Sequence, residues 1–124
     1  MILNTNQKWP IESRHHLIQR LATAFALGDT THIMAKITDD IIWDIVGNTQ
    51  LKGKDAFNKA LQKMSKNEVS ELSIDHILID GDKCAVNGDI IMNEGQTYEF
   101  ADFYTFAPNA NKIQSIQSYV LKMH

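Results

Sequence analysis

The chain has 124 residues, enough for one domain with a real core, and its 44% hydrophobic and 22% charged content excludes a disordered protein. A formal net charge of −3, with no run of Lys and Arg interleaved with aromatics, excludes an electrostatic case for nucleic acid. The lone Cys84 excludes an internal disulfide, no apolar run approaches bilayer length, and MILNTNQKWP lacks the features of a signal peptide; a cytoplasmic protein without membrane partners is expected.

The first eight residues are mostly polar and are expected to be loosely held. Trp9-Pro10 is expected to open a helix, because proline tolerates the first helical position. Leu17, Ile18, Leu21, Ala22, Phe25 and Ala26 recur at spacings of three and four and give that helix one apolar stripe. Gly28 closes it, and Asp29 is an N-cap for a short second helix running to about Lys36. Ile41 to Val46 reads as a strand by its length and β-branched content, with Trp43 and Asp44 side by side, followed by a turn at Gly47-Asn48. A third helix begins near Gly53, with Ala56, Phe57, Ala60, Leu61 and Met64 as its buried stripe.

From Val69 the period changes to two. Strands are expected over 69–79, 83–93, 97–107 and 112–122, separated by turns of hairpin composition at Asp80-Gly81-Asp82, Asn93-Glu94-Gly95-Gln96 and Pro108-Asn109-Ala110-Asn111. The order is helix, helix, strand, helix and four strands. A long antiparallel sheet must cover one face, and the three helices are the only material available. The expected fold is α+β: a cone-shaped barrel in which a curved, mainly antiparallel sheet wraps three N-terminal helices around a cavity. One domain spans residues 1–124, with its core over 11–122.

Two aspartates stand out within this frame. A carboxylate in an apolar strand is costly unless it faces solvent, finds partners or works at a site, and Asp44 is such a group. Alternation along 97–107 puts Tyr98, Phe100, Asp102, Tyr104 and Phe106 on one face. If that face is the inner one, Asp102 sits among aromatics that raise its pKa by desolvation. Trp43 is expected to wall the pocket or fill the core, and to stack on a planar ligand in the first case. His76, the only strand histidine, is an alternative base or a hydrogen-bonded structural residue. His15 and His16 are adjacent on a helix and point apart, and no HExxH-like cluster exists, so neither metal nor other cofactor is expected. Cys84 reads as a small core residue. The opposite parity puts Phe103 on the outer face of the sheet, where a second copy of the chain is the expected cover, giving a homodimer.

The hairpin ending in Gly28-Asp29, the Asp39-Asp40 pair, Asp44-Ile45-Val46-Gly47 and the later Gly53 together resemble the nuclear transport factor two-like superfamily over roughly residues 11 to 122. Within it the chain looks most similar to SnoaL-like polyketide cyclases and ketosteroid isomerases. The resemblance implies a proton-shuttling aspartate three residues before the glycine that follows the first strand, which is Asp44 before Gly47. It implies a protonated aspartic acid as oxyanion donor in the next-to-last strand, and Ala101-Asp102-Phe103-Tyr104-Thr105-Phe106 places Asp102 there. It also implies an oxyanion tyrosine seven residues before Gly28, where this chain has Leu21; Tyr98 and Tyr104 are the candidates to supply the hydroxyl instead. Related epoxide hydrolases use an Asp-Arg-Asp arrangement, for which only Arg14 and Arg20 are available.

The expected function is that of a small-molecule pocket protein performing acid–base chemistry on an apolar, carbonyl-containing substrate. Asp44 and Asp102 are the catalytic candidates, and Trp43, Tyr98, Phe100, Tyr104, His76, Leu21 and Phe25 the substrate-binding ones. Keto–enol chemistry needs a base near a carbonyl and a donor where the oxygen gains charge, which two carboxyl groups in different environments can supply. A non-catalytic ligand-binding domain, or a protein-interaction domain using the open sheet, is the alternative, and the sequence leaves turnover itself open.

Overall fold

The period-two alternation after Val69 produces the four long strands that dominate a computed structural model describing residues 1–124. In chain order the elements are β1 (Ile2–Thr5), α1 (Arg14–Leu27), α2 (Thr30–Met34), β2 (Ile37–Ile45), β3 (Thr49–Lys52), α3 (Lys54–Met64), β4 (Val69–Asp80), β5 (Lys83–Met92), β6 (Thr97–Phe106) and β7 (Ile113–Lys122). One seven-stranded sheet has the order β1-β4-β5-β6-β7-β2-β3. The pairings are antiparallel except for β1 with β4 and β2 with β7. The sheet is curved and not closed, with the three helices against its inner face, as the sequence pattern led us to expect. No helix is long and apolar enough to cross a membrane.

Three local expectations need correction. The N-terminal residues are not loose: Ile2–Thr5 adds an edge strand to β4, where the Asn4 amide bonds the side chains of Glu71 and Ser73. Pro10 does not open α1. Its carbonyl accepts from the backbone N–H and the hydroxyl of Ser13, closing a turn, and Ser13 then caps the helix by accepting from the His16 N–H at 3.1 Å. A serine at that position satisfies an orphan N–H, which proline does not do. Trp9, just before this turn, stacks on His15 with ring centroids 4.2 Å apart. Finally, the turn after β2 leads into the short partner strand β3, which pairs Leu51 with Trp43 before α3 begins.

Helix ends elsewhere follow the sequence. Gly28 ends α1 in the left-handed conformation, φ 71°, and Asp29 caps α2 by accepting from the His32 N–H. A Cβ on Gly28 would also lie 3.0 Å from the Cβ of Ser65, so the close contact between the ends of α1 and α3 needs a glycine. The helices meet the sheet at an aromatic cluster. Trp43 of β2 lies 5.6 Å from Phe25 of α1 and 5.1 Å from Phe57 of α3, ring centroid to ring centroid, all tilted.

The β4–β5 pair carries one of the sheet's bulges. A register shift between Ile74 and His76 inserts an extra residue into β4, so Ile74 and Ile77, three apart, both face the core. Gly88 pairs with Ile74 at this bulge, and a Cβ there would sit 1.9 Å from the carbonyl oxygen of Ser73. The obstacle is backbone, which cannot rotate aside. Substituting Gly88→Ala is therefore expected to cost more than about 2 kcal/mol, measured by urea or thermal unfolding. A near-neutral effect would mean that the bend does not depend on this approach.

Candidate functional site

Curvature leaves a cavity of about 210 Å³ between the inner face of the sheet and the helices. Of its 17 lining residues 14 are hydrophobic, and the exceptions are Asn67, Asp102 and Ser118. No Lys, Arg or His lines it. Phe25 of α1 and Trp43 of β2 close one side. The inward row of β6, Tyr98, Phe100, Asp102 and Tyr104, forms another, and Ser118 faces in from β7. The strand alternation predicted for β6 holds along its whole length, with Glu99 and Phe103 exposed on the other face.

Asp102 is the one ionisable carboxyl in this cavity. It is half-buried and lies among the apolar residues of the cavity wall. Burial pushes its pKa up from an ordinary 3.8 to about 6, while a hydrogen bond from Ser118, its cross-strand partner, acts in the opposite direction. Tyr104, two residues on, is fully enclosed. Burial first, then the neighbouring Asp102 and Cys84, holds its hydroxyl well above the usual tyrosine value, so it stays protonated and able to donate. Ser118 accepts a hydrogen bond from the Trp43 indole N–H at 2.9 Å. Cys84 is buried among core residues, and desolvation pushes its thiol up to about 12, which agrees with a packing role.

Five of the candidate residues come together: Trp43, Phe25, Tyr98, Phe100 and Tyr104 line the cavity around Asp102. Three others do not. Asp44 is next to Trp43, and the pleat that turns Trp43 inward turns Asp44 to the outer face, where its paired neighbours are Gln50 and Gln117. The structure thus does not bring Asp44 and Asp102 to one site. His76 lies on the outer face at the β4 bulge, exposed, with Nδ1 2.9 Å from Asn87 Oδ1. Leu21 is fully buried but packs in the core; the helical step of 100° gives the cavity Ala22, Phe25 and Ala26 instead.

Neither arginine reaches the cavity. Arg14 lies over the Phe106 ring at 4.2 Å and donates to Asn111 and to the Gly81 carbonyl, and Arg20 is exposed. An Asp-Arg-Asp arrangement is therefore not assembled. The sequence reading missed Ser118, and also Met64 and Asn67 at the mouth. Ser118 was readable: Ile116, Ser118 and Val120 share one parity in the last strand, and a hydroxyl between two apolar inward residues marks a polar point in the wall.

An ionisable group placed this way carries a thermodynamic signature. Its folded pKa lies above the unfolded value, so its favourable contribution is complete below about pH 3.8 and is lost as pH rises through about 6. Asp102→Asn removes the ionisation cost and keeps the shape. The variant is expected to be more stable than the wild type at about pH 8, by up to roughly 3 kcal/mol, with the gap closing by about pH 3.5. Urea unfolding at the two pH values checks this; a gap independent of pH would show that Asp102 ionises normally.

The model of the SnoaL-like domain family matches residues 18–116. No curated protein matches the chain by sequence. Among solved structures, a nuclear transport factor two-like protein of unknown function from Cytophaga hutchinsonii is 25% identical, with a TM-score of 0.64, over 88% of this chain and 100% of that one. An epoxide hydrolase of the LEH-like type from M. tuberculosis shares the fold at 16% identity and a TM-score of 0.72, over 87% of this chain and 82% of that one. A candidate ketosteroid isomerase from Kribbella flavida does so at 11% identity and a TM-score of 0.75, over 90% of this chain and 79% of that one.

Proposed function

We propose that this chain, which belongs to the SnoaL-like domain family of the nuclear transport factor two-like superfamily, binds a compact, uncharged, largely apolar carbonyl compound in its cavity and moves a proton on it. The observation that carries the reading is Asp102, a carboxyl with its pKa near 6 in a cavity of aromatic and aliphatic walls. A base is most effective when its pKa lies near the working pH. Above about pH 6 the Asp102 carboxylate accepts a proton from the carbon next to the carbonyl. The electron pair of that C–H bond moves into the enolate, and the Tyr104 hydroxyl donates to the oxygen that gains charge. Return of the proton at another carbon is isomerisation; attack of the enolate carbon on a second carbonyl of the same molecule forms a C–C bond and an alkoxide that takes the proton back from Asp102, which is cyclisation. With Asp44 on the outer face, Asp102 takes the base role that the sequence resemblance gave to Asp44.

Size and charge narrow the substrate. About 210 Å³ is below the roughly 300–1,000 Å³ of pockets for drug-sized ligands, which favours one or two rings over four. An anionic substrate would face a carboxylate with no cation in the walls to offset it.

Proton abstraction can be read without the natural substrate, as deuterium exchange at the α-carbon of a small cyclic ketone such as 1-indanone, followed by mass spectrometry. The expected result is exchange that rises with a midpoint near pH 6, falls about 10²–10⁴-fold in Asp102→Asn and about 10²–10³-fold in Tyr104→Phe. Exchange that survives in Asp102→Asn would remove the base assignment. Tight binding of such ketones without exchange would favour a non-catalytic ligand-binding domain, a reading supported by the presence of one cavity carboxyl rather than two.

The outer face carries a second proposal. Phe103 is 49% exposed and packs edge-on against Tyr119 at 6.1 Å, with Leu78 and Leu121, 64% and 66% exposed, on the same sheet. No helix of the chain remains to cover them, and a second copy, related by a two-fold axis, is the cover we propose. Light scattering is expected to give a dimer for the wild type and a monomer for Phe103→Glu; a monomeric wild type would point to a different partner. A single, buried cysteine suits a reducing compartment, and we place the protein in the cytoplasm.

A further inference from the structure

The proton transfer just described leaves two buried side chains unused. Trp43 and Ser118 are 4% and 6% exposed, and Ser118 is the only buried residue of polar class. An indole N–H can only donate, so its bond to Ser118 Oγ, at 2.9 Å, has a fixed direction. A hydroxyl that accepts from it keeps its own proton for another acceptor. Ser118 sits directly across the β6–β7 pair from Asp102 and lines the same cavity, so the carboxyl is the acceptor within reach of the hydroxyl's free proton, and Ser118 acts to lower the Asp102 pKa. Trp43 itself is held between Phe25 and Phe57, so the donor at the head of this series cannot swing away.

We propose that Ser118, oriented by Trp43, is the positioning residue that holds one Asp102 oxygen as an acceptor and leaves the other facing the cavity as the atom that takes and returns the proton. The inference rests on the reading of Asp102 as the proton-handling group. In the ionised state the Ser118 O–H donates to the bound oxygen. In the neutral state that oxygen still accepts from Ser118, so the acquired proton resides on the other. Base and acid forms then present the same atom to the substrate, without rotation of the carboxyl between steps.

The neighbours of Asp102 offer no substitute. Tyr98 and Tyr104 flank it on β6 and Cys84 lies beyond Tyr104 on β5; the cavity residues contributed by α1, by the end of α3, by β2 and by β4 are uncharged, and His76 of β4, which shares a cleft with Asp102 on the outer face, has its Nδ1 2.9 Å from Asn87 Oδ1. Ser118 is the side chain that favours the ionised carboxylate. If the Trp43–Ser118 bond served only to satisfy the indole in the core, removing it would change stability and leave the Asp102 titration where it was.

The test compares Ser118→Thr and Ser118→Val, which match in volume and differ in the hydroxyl. The readout is the Asp102 carboxyl resonance in protein labelled with carboxyl-¹³C aspartate, assigned by its loss in Asp102→Asn. Ser118→Thr is expected to keep the wild-type midpoint and Ser118→Val to raise it by about one pH unit, as loss of a hydrogen bond to a charged group requires. Trp43→Phe is expected to give a smaller rise, because the freed hydroxyl divides its time among acceptors. If a branched variant does not fold, Ser118→Ala against the wild type makes the same comparison. Equal midpoints with and without the hydroxyl would overturn the proposal. This outcome is separable from failure of the base reading, which shows as unchanged ketone exchange in Asp102→Asn whatever the Ser118 variants do.

Discussion

A sheet of seven strands encloses space only if it bends, and here the bend depends on two backbones approaching more closely than any side chain allows. At Gly88 the β5 chain lies against the Ser73 carbonyl of β4, beside the bulge that moves β4 from one parity to the other. The inward placement of both Ile74 and Ile77 follows from that geometry. With the far strands tilted over the helices, the inward row of β6 no longer packs against α1 but faces it across a gap. The short edge strands β1 and β3 limit the sheet on either side, each only four residues long and so a poor template for further pairing.

Within that gap the balance is between desolvation and a small number of directed bonds. An apolar cavity raises the cost of any charge, and the chain places one carboxyl there without a cation. It limits the cost by hydrogen bonding from a neutral hydroxyl instead of an ion pair. An arginine partner would have held Asp102 ionised far below neutrality. A wholly apolar setting would have left it neutral at physiological pH. The intermediate value near 6 comes from opposed effects of similar kind, burial against Ser118, both set by strand register.

How much of this was legible in the sequence depends on how each element is stabilised. The helices and the four long strands announce themselves by period, because burial of one face selects both the residues and the conformation. Strands β1 and β3 do not: Ile2–Thr5 and Thr49–Lys52 are too short to show a period and exist through pairing with β4 and β2. The start of α1 turned on competition between Pro10 and Ser13, where capping prevailed. At the site, alternation placed Asp102 and its aromatic neighbours correctly, since that argument is geometric. Asp44 was carried over by spacing from a glycine, and spacing along a chain does not fix the face. Yet the face was also readable: Ile41 and Trp43 share a parity opposite to that of Ile42 and Asp44, and the bulkier pair, 0% and 4% exposed, took the inside.

The displacement of Asp44 changes what kind of chemistry the cavity can support. With two carboxyl groups, acid and base duties are divided and each is tuned separately. With one, the proposed proton transfer asks the same group to hold a proton in one state and lose it in the next, so its pKa has to lie within reach of ambient pH in both directions. That requirement conflicts with stability, because a carboxyl that ionises reluctantly weakens the fold as pH rises toward neutrality. The conflict is confined here to a single side chain on a rigid central strand, hydrogen-bonded on both edges. The remaining polar atoms of the wall are neutral donors or acceptors, which orient a ligand without adding to the cost. On the proposed reading, a ligand fits here by shape and by the placement of one oxygen, with the aromatic walls of Phe25, Trp43 and Phe100 as its apolar contacts.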